Sequence, residues 1–103
     1  MSDAAIVTKD NARFSVEGVL DFTTVSRLAA EGMRLFAGHS RVDIDLQGVS
    51  AANSAGLVLL LEWMELARGR KLALRFLNLP RSLDRLAGLA NLSGILPVVR
   101  GGA

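Results

Sequence analysis

Two adjacent polar residues, Asn53 and Ser54, stand directly before a long apolar segment that begins at Ala55. A serine or asparagine at the start of a helix can accept a hydrogen bond from a free backbone N–H group of the first turn, which is worth about 1 kcal/mol. The same free N–H groups and the helix dipole favour a phosphoryl group at this position. Two interpretations follow from the residues alone: a helix cap, or a hydroxyl that can carry a phosphoryl group.

Three aspartates are the other candidates for chemistry. Asp43 and Asp45 are two residues apart in an alternating segment, so both carboxylates lie on one face of a strand. Paired carboxylates can transfer protons or bind a cation. Their alternation with apolar residues favours the polar side of a half-buried strand instead, and Asp21, which follows another strand-like segment, favours a turn.

The composition excludes several enzyme classes. The chain has no cysteine and one histidine, His39, which rules out a disulfide, a thiolate zinc site, a cysteine nucleophile and a His-rich metal site. No serine and aspartate are arranged around His39 as a catalytic triad, and no phosphate-binding P-loop motif is present. We therefore expect no catalytic residue, no metal and no cofactor.

Basic residues concentrate in the second part of the chain. Residues 62–103 carry seven Lys/Arg against three Asp/Glu, whereas residues 1–61 carry five against seven. Clustered cations can bind nucleic acid or anionic lipid through counterion release. The absence of interleaved aromatic residues favours a solvated face or an acidic protein partner, and no nucleic-acid partner is predicted. The residues concerned are Arg68, Arg70, Lys71, Arg75, Arg81 and Arg85.

The spacing of apolar residues predicts the elements that position these side chains. In the first part of the chain, alternation predicts a short strand at 6–7 and a longer one over 13–21, joined as an antiparallel hairpin by a brief turn. A spacing of three and four predicts an amphipathic helix over 24–37. The clearest strand covers 41–46, where apolar and charged residues alternate.

The second part of the chain predicts a loop over 47–53, a largely buried helix over 54–69 that contains Trp63, and a strand over 72–77. A helix follows Pro80, and residues 95–99 form a short strand or a turn. Strands that alternate with helices indicate parallel pairing with right-handed crossovers. The predicted fold is α/β, with a mixed sheet of four to five strands packed with three to four helices.

The length and the termini predict where the chain folds and works. At 103 residues, one domain over 1–103 is expected, with an ordered core over about 5–99 and a flexible C-terminal tail. The N-terminus lacks the features of a signal peptide, and no apolar stretch reaches the length of a membrane span, so we expect a cytoplasmic location. The apolar helix over 54–69 leaves a homodimer of the isolated chain open.

Two elements give the sequence a family resemblance. Gly18-Val-Leu-Asp21 ends an early strand, and Asp45-Leu-Gln-Gly-Val-Ser-Ala-Ala-Asn-Ser-Ala-Gly-Leu57 joins a later strand to a helix. In this order they resemble the STAS domain, the family of sulfate transporters and anti-sigma-factor antagonists. The resemblance covers nearly the whole chain and implies the STAS fold.

The resemblance also implies a site. Ser54 falls on the hydroxyl residue that a partner kinase phosphorylates in anti-sigma-factor antagonists, while this chain has Asn53 where antagonists have Asp and Ala55 where they often have a second Ser. The partner-binding loop would then comprise Asn53, Ser54, Ala55, Gly56 and Leu57. Asp21 and Asp45 would support it from neighbouring turns.

Within the family, two segments resemble the small cytoplasmic subunit of the Mla-type phospholipid-transport ABC complex. They are Gly56-Leu-Val-Leu-Leu-Leu-Glu-Trp63 and Leu89-Ala-Asn-Leu-Ser-Gly-Ile-Leu-Pro97. This resemblance implies a non-enzymatic subunit that contacts an ABC ATPase through Ser54 and lies at the inner membrane through that partner and a permease. The alternative is an anti-sigma-factor antagonist whose partner is a serine kinase that acts as the anti-sigma factor and phosphorylates Ser54.

Overall fold

The computed structural model of the chain describes residues 4–99. Its central element is a four-stranded sheet. The antiparallel pairing of the first two strands and the parallel pairing of the others are confirmed. The sheet is therefore mixed, with its strands side by side in chain order. The strands are β1 (Ala4–Thr8), β2 (Arg13–Leu20), β3 (Arg41–Ala52) and β4 (Ala73–Leu77).

Three helices complete the described part of the chain: α1 (Val25–Leu35), α2 (Ser54–Gly69) and α3 (Arg81–Leu89). The helices predicted over 24–37 and 54–69 are confirmed, and α3 begins directly after Pro80 as predicted. Pro80 has extended backbone, and its carbonyl accepts from Asp84 N–H at 2.9 Å. It lies at the start of the helix because its ring suits that position and not the helix interior. The fold is the predicted α/β arrangement.

The core lies between one face of the sheet and the helices. Val42, Ile44 and Leu46 of β3 are buried, whereas Asp43 and Asp45 between them face the other, open side of the sheet. Alternation along the strand thus separates an apolar face from a polar one, as the sequence predicted. Trp63, predicted to be in the core, is 1% exposed.

The prediction of a loop over 47–53 is wrong for most of this segment, because β3 continues to Ala52. This second half pairs with β2 through Gly18–Val49 and Leu20–Ala52, with two register shifts on the way. Its residues are small or polar and show no alternation, so backbone pairing with β2 holds them extended. Gly18 has φ +99° beside the second shift, a conformation that side chains other than glycine rarely adopt.

The segment over 95–99 does not form a fifth strand. Val98 makes one isolated parallel bridge to Phe76 of β4. The Phe76 N–H group donates to Pro97 O, and the Val99 N–H group donates to Phe76 O, both at 2.9 Å. The C-terminal tail that was predicted to be flexible lies outside the described residues. Within those residues, none of the helices is long and apolar enough to cross a membrane.

Candidate functional site

Asn53 is the cap of α2, which leaves the neighbouring serine unused by the fold. The Asn53 side chain accepts a hydrogen bond from Ala55 N–H through Oδ1 at 2.8 Å, and its backbone is extended. Ser54 is the first residue of α2 and is exposed. Within residues 4–99 its hydroxyl makes no hydrogen bond. Of the two interpretations of this pair, the cap therefore belongs to Asn53 and the available hydroxyl to Ser54.

The start of α2 is fixed to the end of β2. The Asn53 N–H group donates to Leu20 O at 3.1 Å, directly after the last pair of the β2–β3 ladder, Leu20 with Ala52. Asp21 follows Leu20 and so lies beside the turn that leads into α2. The β2–α1 turn and the first turn of α2 therefore lie at one end of the sheet.

Hydrogen bonds within the turn hold Asp21 in place. Its Oδ1 accepts from the Thr23 hydroxyl at 2.6 Å and from the Thr23 N–H at 2.9 Å. These bonds favour the charged carboxylate and lower the pKa of Asp21. Buried Thr24 closes the turn, because its hydroxyl accepts from Asp21 N–H at 3.0 Å and donates to Val19 O at 2.8 Å. Asp21 is therefore a positioning residue of the turn.

The residues after Ser54 anchor the helix start. Ala55, Gly56 and Leu57 are buried, so only Asn53 and Ser54 of the predicted partner-binding residues present side chains to solvent. A Cβ on Gly56 would lie 3.2 Å from Leu20 Cβ and 3.3 Å from Ala52 Cβ. Glycine lets the first turn of α2 pack closely on the strand ends, which fixes the direction in which Ser54 faces.

Next to Ser54, α1 and α2 border a shallow depression of about 170 Å³. Its α2 side includes Val58, one turn after Ser54 and 47% exposed. Phe22, in the turn before α1, is 73% exposed. The remaining lining residues are Val25, Ser26, Ala29, Leu59 and Glu62. The Ser54 hydroxyl thus lies one helical turn from an exposed apolar side chain, Val58, and this combination is suited to contact with a protein partner.

Asp45 does not support this surface, contrary to the prediction. Its carboxylate accepts from Gln47 N–H and from Asn78 Nδ2, both at 2.9 Å, on the open face of the sheet. Because β3 runs on to Ala52 and a strand advances about 3.3 Å per residue, Asp45 is about 20 Å along the strand from its end. The predicted loop would have brought it close to Ser54, and the strand does not.

The predicted basic cluster is divided in the folded chain. Arg75 lies on the open sheet face and donates to both carboxylate oxygens of Asp43 at 2.9 and 3.0 Å, which lowers the pKa of Asp43. Arg68 pairs with Glu65 on α2, and Arg70 donates to Met33 O at 3.0 Å. These cations are engaged at separate places. Residues 4–99 also hold no group of three or more side chains that is suited to a metal ion.

Sequence reasoning missed Phe22 and Val58 as members of the surface. Phe22 stands alone between Asp21 and Thr23, and a single apolar residue in a turn gives no periodic signal. Val58 belongs to a run of apolar residues in which nothing local distinguishes the exposed position from the buried ones. Only the packing of α2 on the rest of the chain selects it.

Comparisons with solved structures agree on the fold. An anti-sigma-factor antagonist from Mycobacterium paratuberculosis superposes with a TM-score of 0.73 at 22% identity, covering 96% of this chain and 86% of that one. Unphosphorylated SpoIIAA, also an anti-sigma-factor antagonist, gives 0.71 at 14% identity, with 94% and 88% covered. An anti-sigma-factor antagonist (STAS) domain protein from Planctomyces limnophilus gives 0.69 at 17% identity, with 99% and 92% covered.

Sequence comparison gives the family. Among curated proteins, no sequence matches this chain. The sequence model of the family described as "Mlab, STAS domain" matches residues 5–99, which is nearly the whole chain and includes both elements that carry the resemblance. With the same fold in three solved relatives, the chain belongs to the STAS domain family.

Proposed function

We propose that this chain is a non-enzymatic STAS subunit that binds the cytoplasmic ATPase of an Mla-type phospholipid-transport ABC complex, which maintains outer-membrane lipid asymmetry. The description of the matching family and the two segments that resemble Mla subunits support this assignment. In this proposal the protein is cytoplasmic and reaches the inner membrane through the ATPase and its permease.

The observation that carries the proposal is the free hydroxyl of Ser54 on an otherwise well-anchored helix start. Asn53 makes the cap and the backbone link to Leu20, so Ser54 contributes nothing that the fold requires. Beside it lie exposed Val58 and the depression between α1 and α2. Together they form a docking surface, defined here as Phe22, Ser54, Val58 and the α1–α2 depression.

Docking supplies a means of regulation without chemistry on this chain. If the docking surface binds one conformation of the ATPase better than another, binding raises the population of that conformation. The shift is limited to the difference in affinity between the two conformations. The rigid link between α2 and β2 means that the surface is presented without a prior rearrangement, which lowers the entropic cost of binding.

The test replaces Ser54 by arginine. We expect tagged chain purified from its native cells in mild detergent to co-purify with an ABC ATPase and a permease, identified by mass spectrometry. Ser54→Arg inserts a long cation at the centre of the docking surface and should reduce ATPase recovery at least tenfold, while its thermal stability stays close to that of the unmodified chain.

Ser82→Arg is the matched control, because Ser82 is also exposed and lies in the first turn of a helix, α3. We expect this variant to recover the ATPase normally. Equal recovery with Ser54→Arg and Ser82→Arg would contradict the assignment of the docking surface. Recovery of no ATPase by the unmodified chain would contradict the transporter assignment itself.

The second candidate function is an anti-sigma-factor antagonist that a serine kinase regulates by phosphorylating Ser54. All three solved structures described above carry that name, and a phosphoryl group at the first residue of α2 would be favoured by the helix dipole. Incubation with a kinase from the same organism and ATP, followed by intact-mass measurement, separates the two functions. Addition of one phosphate that Ser54→Ala abolishes would favour the switch.

A further inference from the structure

The two outer edges of the sheet differ in how the chain covers them. Along β4, residues 97–99 add backbone hydrogen bonds to Phe76 on the side away from β3. Along β1, one side chain reaches the edge: Arg27 of α1 donates to Ala4 O at 2.6 Å. Beyond Ala4, no described residue covers the outer side of β1. Among the described residues, the β4 edge is therefore covered at Phe76, and the β1 edge is open beyond Ala4.

The hydrogen bonds at the hairpin determine which backbone groups of β1 face outward. The Lys9 N–H group donates to Arg13 O at 2.9 Å, and the register from Thr8–Phe14 to Ala4–Gly18 is continuous. Hydrogen-bonded and non-bonded pairs alternate in an antiparallel ladder, so Val7 and Ala5 bond to β2. The N–H and C=O groups of Ile6 and Thr8 point away from the sheet. The outward direction of Ala4 O, which Arg27 contacts, agrees with this alternation.

The side chains of β1 do nothing to block this edge. The strand reads Ala-Ala-Ile-Val-Thr and contains no charged residue or proline, the features that natural proteins place on open edges to prevent pairing. Ile6 and Val7 are half-buried, one on each face of the sheet, and both are β-branched. Four outward backbone groups on an uncharged, β-branched strand form a ready template for another strand.

We propose that β1 pairs antiparallel with β1 of a second copy of this chain, with Val7 on the two-fold axis. In this register Ile6 stands opposite Thr8 of the second copy, and Thr8 opposite its Ile6. The outward N–H and C=O groups of Ile6 and Thr8 in each chain then form hydrogen bonds with those of the other chain, four bonds in total across the axis. The two Val7 side chains face each other on the open side of the sheet as a β-branched cross-strand pair.

Two observations favour a second copy as the occupant. When a second β1 lies antiparallel to the first, each outward N–H group of one strand faces an outward C=O group of the other. Two identical β1 strands can therefore pair without any other residue. In addition, the contact is isologous, with the same strand on both sides of the two-fold axis, so each β1 edge is occupied by its partner and no further copy can add there. The assembly therefore closes as a dimer.

The expected dimer is weak. Stable interfaces bury about 1,600 Å² in total, and the edges of two five-residue strands supply much less. The inference does not depend on the proposed function, because it involves neither Ser54 nor the α1–α2 depression. It also differs from a dimer through α2, whose apolar side chains are mostly buried within their own chain.

The first test uses the unmodified chain in sedimentation velocity and amide hydrogen exchange by NMR. Between about 50 μM and 1 mM, we expect the mass to rise from 11.0 kDa toward twice that value. Over the same range the amides of Ile6 and Thr8 should exchange more slowly, while those of Ala5 and Val7, already bonded to β2, should not change. A monomer at 1 mM, or added protection elsewhere without Ile6 and Thr8, would overturn the proposal.

The second test addresses the register. Val7→Lys and Val7→Glu each place two like charges across the two-fold axis, so each variant alone should stay monomeric at 1 mM. Mixed in equal amounts, they place Lys opposite Glu and should restore dimerisation. Thr8→Pro removes one outward N–H group without removing a β1–β2 hydrogen bond and should weaken the dimer at least tenfold. Dimerisation of Val7→Lys alone, or its absence in the mixture, would exclude this register.

Discussion

The pair of helices α1 and α2 differs sharply between its two ends. At one end, Gly32 of α1 lies directly against the indole of Trp63, and a Cβ on Gly32 would be 2.7 Å from Cε2 and 2.9 Å from Cζ2. Trp63 packs in turn on Phe36, with ring centroids 5.4 Å apart. At the other end, Val25 and Val58 border the open depression beside Ser54.

This difference shows how one helix pair serves both the fold and recognition. The Gly32–Trp63 end has no free space, so its contacts determine how stable the pair is. The Ser54 end is held by a cap and by backbone bonds to β2, and its exposed side chains remain available to a partner. Substitutions at the first end should therefore affect folding, whereas those at the second should affect stability little.

The largest effect is expected from Gly32→Ala. The added methyl group overlaps Nε1, Cε2 and Cζ2 of a ring that is 1% exposed and cannot move aside freely. Overpacking of this kind costs about 3 kcal/mol in free energy of unfolding, which exceeds the gain of about 1 kcal/mol in helix propensity. Urea unfolding followed by circular dichroism measures the difference.

Gly88→Ala is the control for Gly32→Ala. It makes the same change inside α3, where the nearest atom to the new Cβ is Ser93 Oγ at 3.6 Å, an ordinary contact. Because only helix propensity changes there, we expect unaltered or slightly increased stability. Equal effects of the two substitutions would show that the Gly32–Trp63 contact is not tightly packed.

A smaller effect is expected from Asn53→Ala at the other end. This change removes the Oδ1 acceptor of Ala55 N–H and should lower the free energy of unfolding by about 1 kcal/mol. Asn53→Asp keeps an acceptor at the cap and adds a charge that the helix dipole favours, so it should match or exceed the unmodified chain. If Asn53→Ala has no effect in urea unfolding, Asn53 is not the cap and Ser54 is not free.

The smallest effect is expected from Asp21→Asn, and it should depend on pH. The hydrogen bonds from Thr23 lower the pKa of Asp21, so the carboxylate stabilises the turn above its unfolded pKa of about 3.8. That contribution is lost as the pH falls through the lower, folded pKa. Thermal unfolding should therefore show a slightly lower Tm for Asp21→Asn at about pH 7, and this difference should shrink as the pH is lowered below about 3.8. A difference that persists in acid would indicate a cause other than the charge.

Local patterns predicted most of the elements but not the contacts between them. The alternation of Val42, Ile44 and Leu46 and the spacing of α1 identified a strand and a helix, because these signals lie within one element. The second half of β3 was missed, since Gly48 to Ala52 remain extended through pairing with β2, a partner about thirty residues away. The misplacement of Asp45 followed from that same error.

The candidate site also combines features that the sequence indicates with features that depend on tertiary packing. The Asn53–Ser54 junction was visible in the sequence because a polar pair interrupts an apolar run. The choice of Asn53 as the cap, the exposure of Phe22 and the close contact of Gly32 with Trp63 depend on tertiary packing. No spacing of residues specifies these features, and only the folded chain determines them.

The contact between Gly32 and Trp63 also gives the protein an optical property. Trp63 is the only tryptophan, and the chain has no tyrosine. The buried Nε1 of Trp63 has no hydrogen-bond partner among the described residues. Its fluorescence therefore comes from one apolar place between α1 and α2 and should be blue-shifted and resistant to quenching by acrylamide. A partner that separates the two helices would move the emission to the red, whereas rigid docking would leave the spectrum unchanged, and no added dye would be needed.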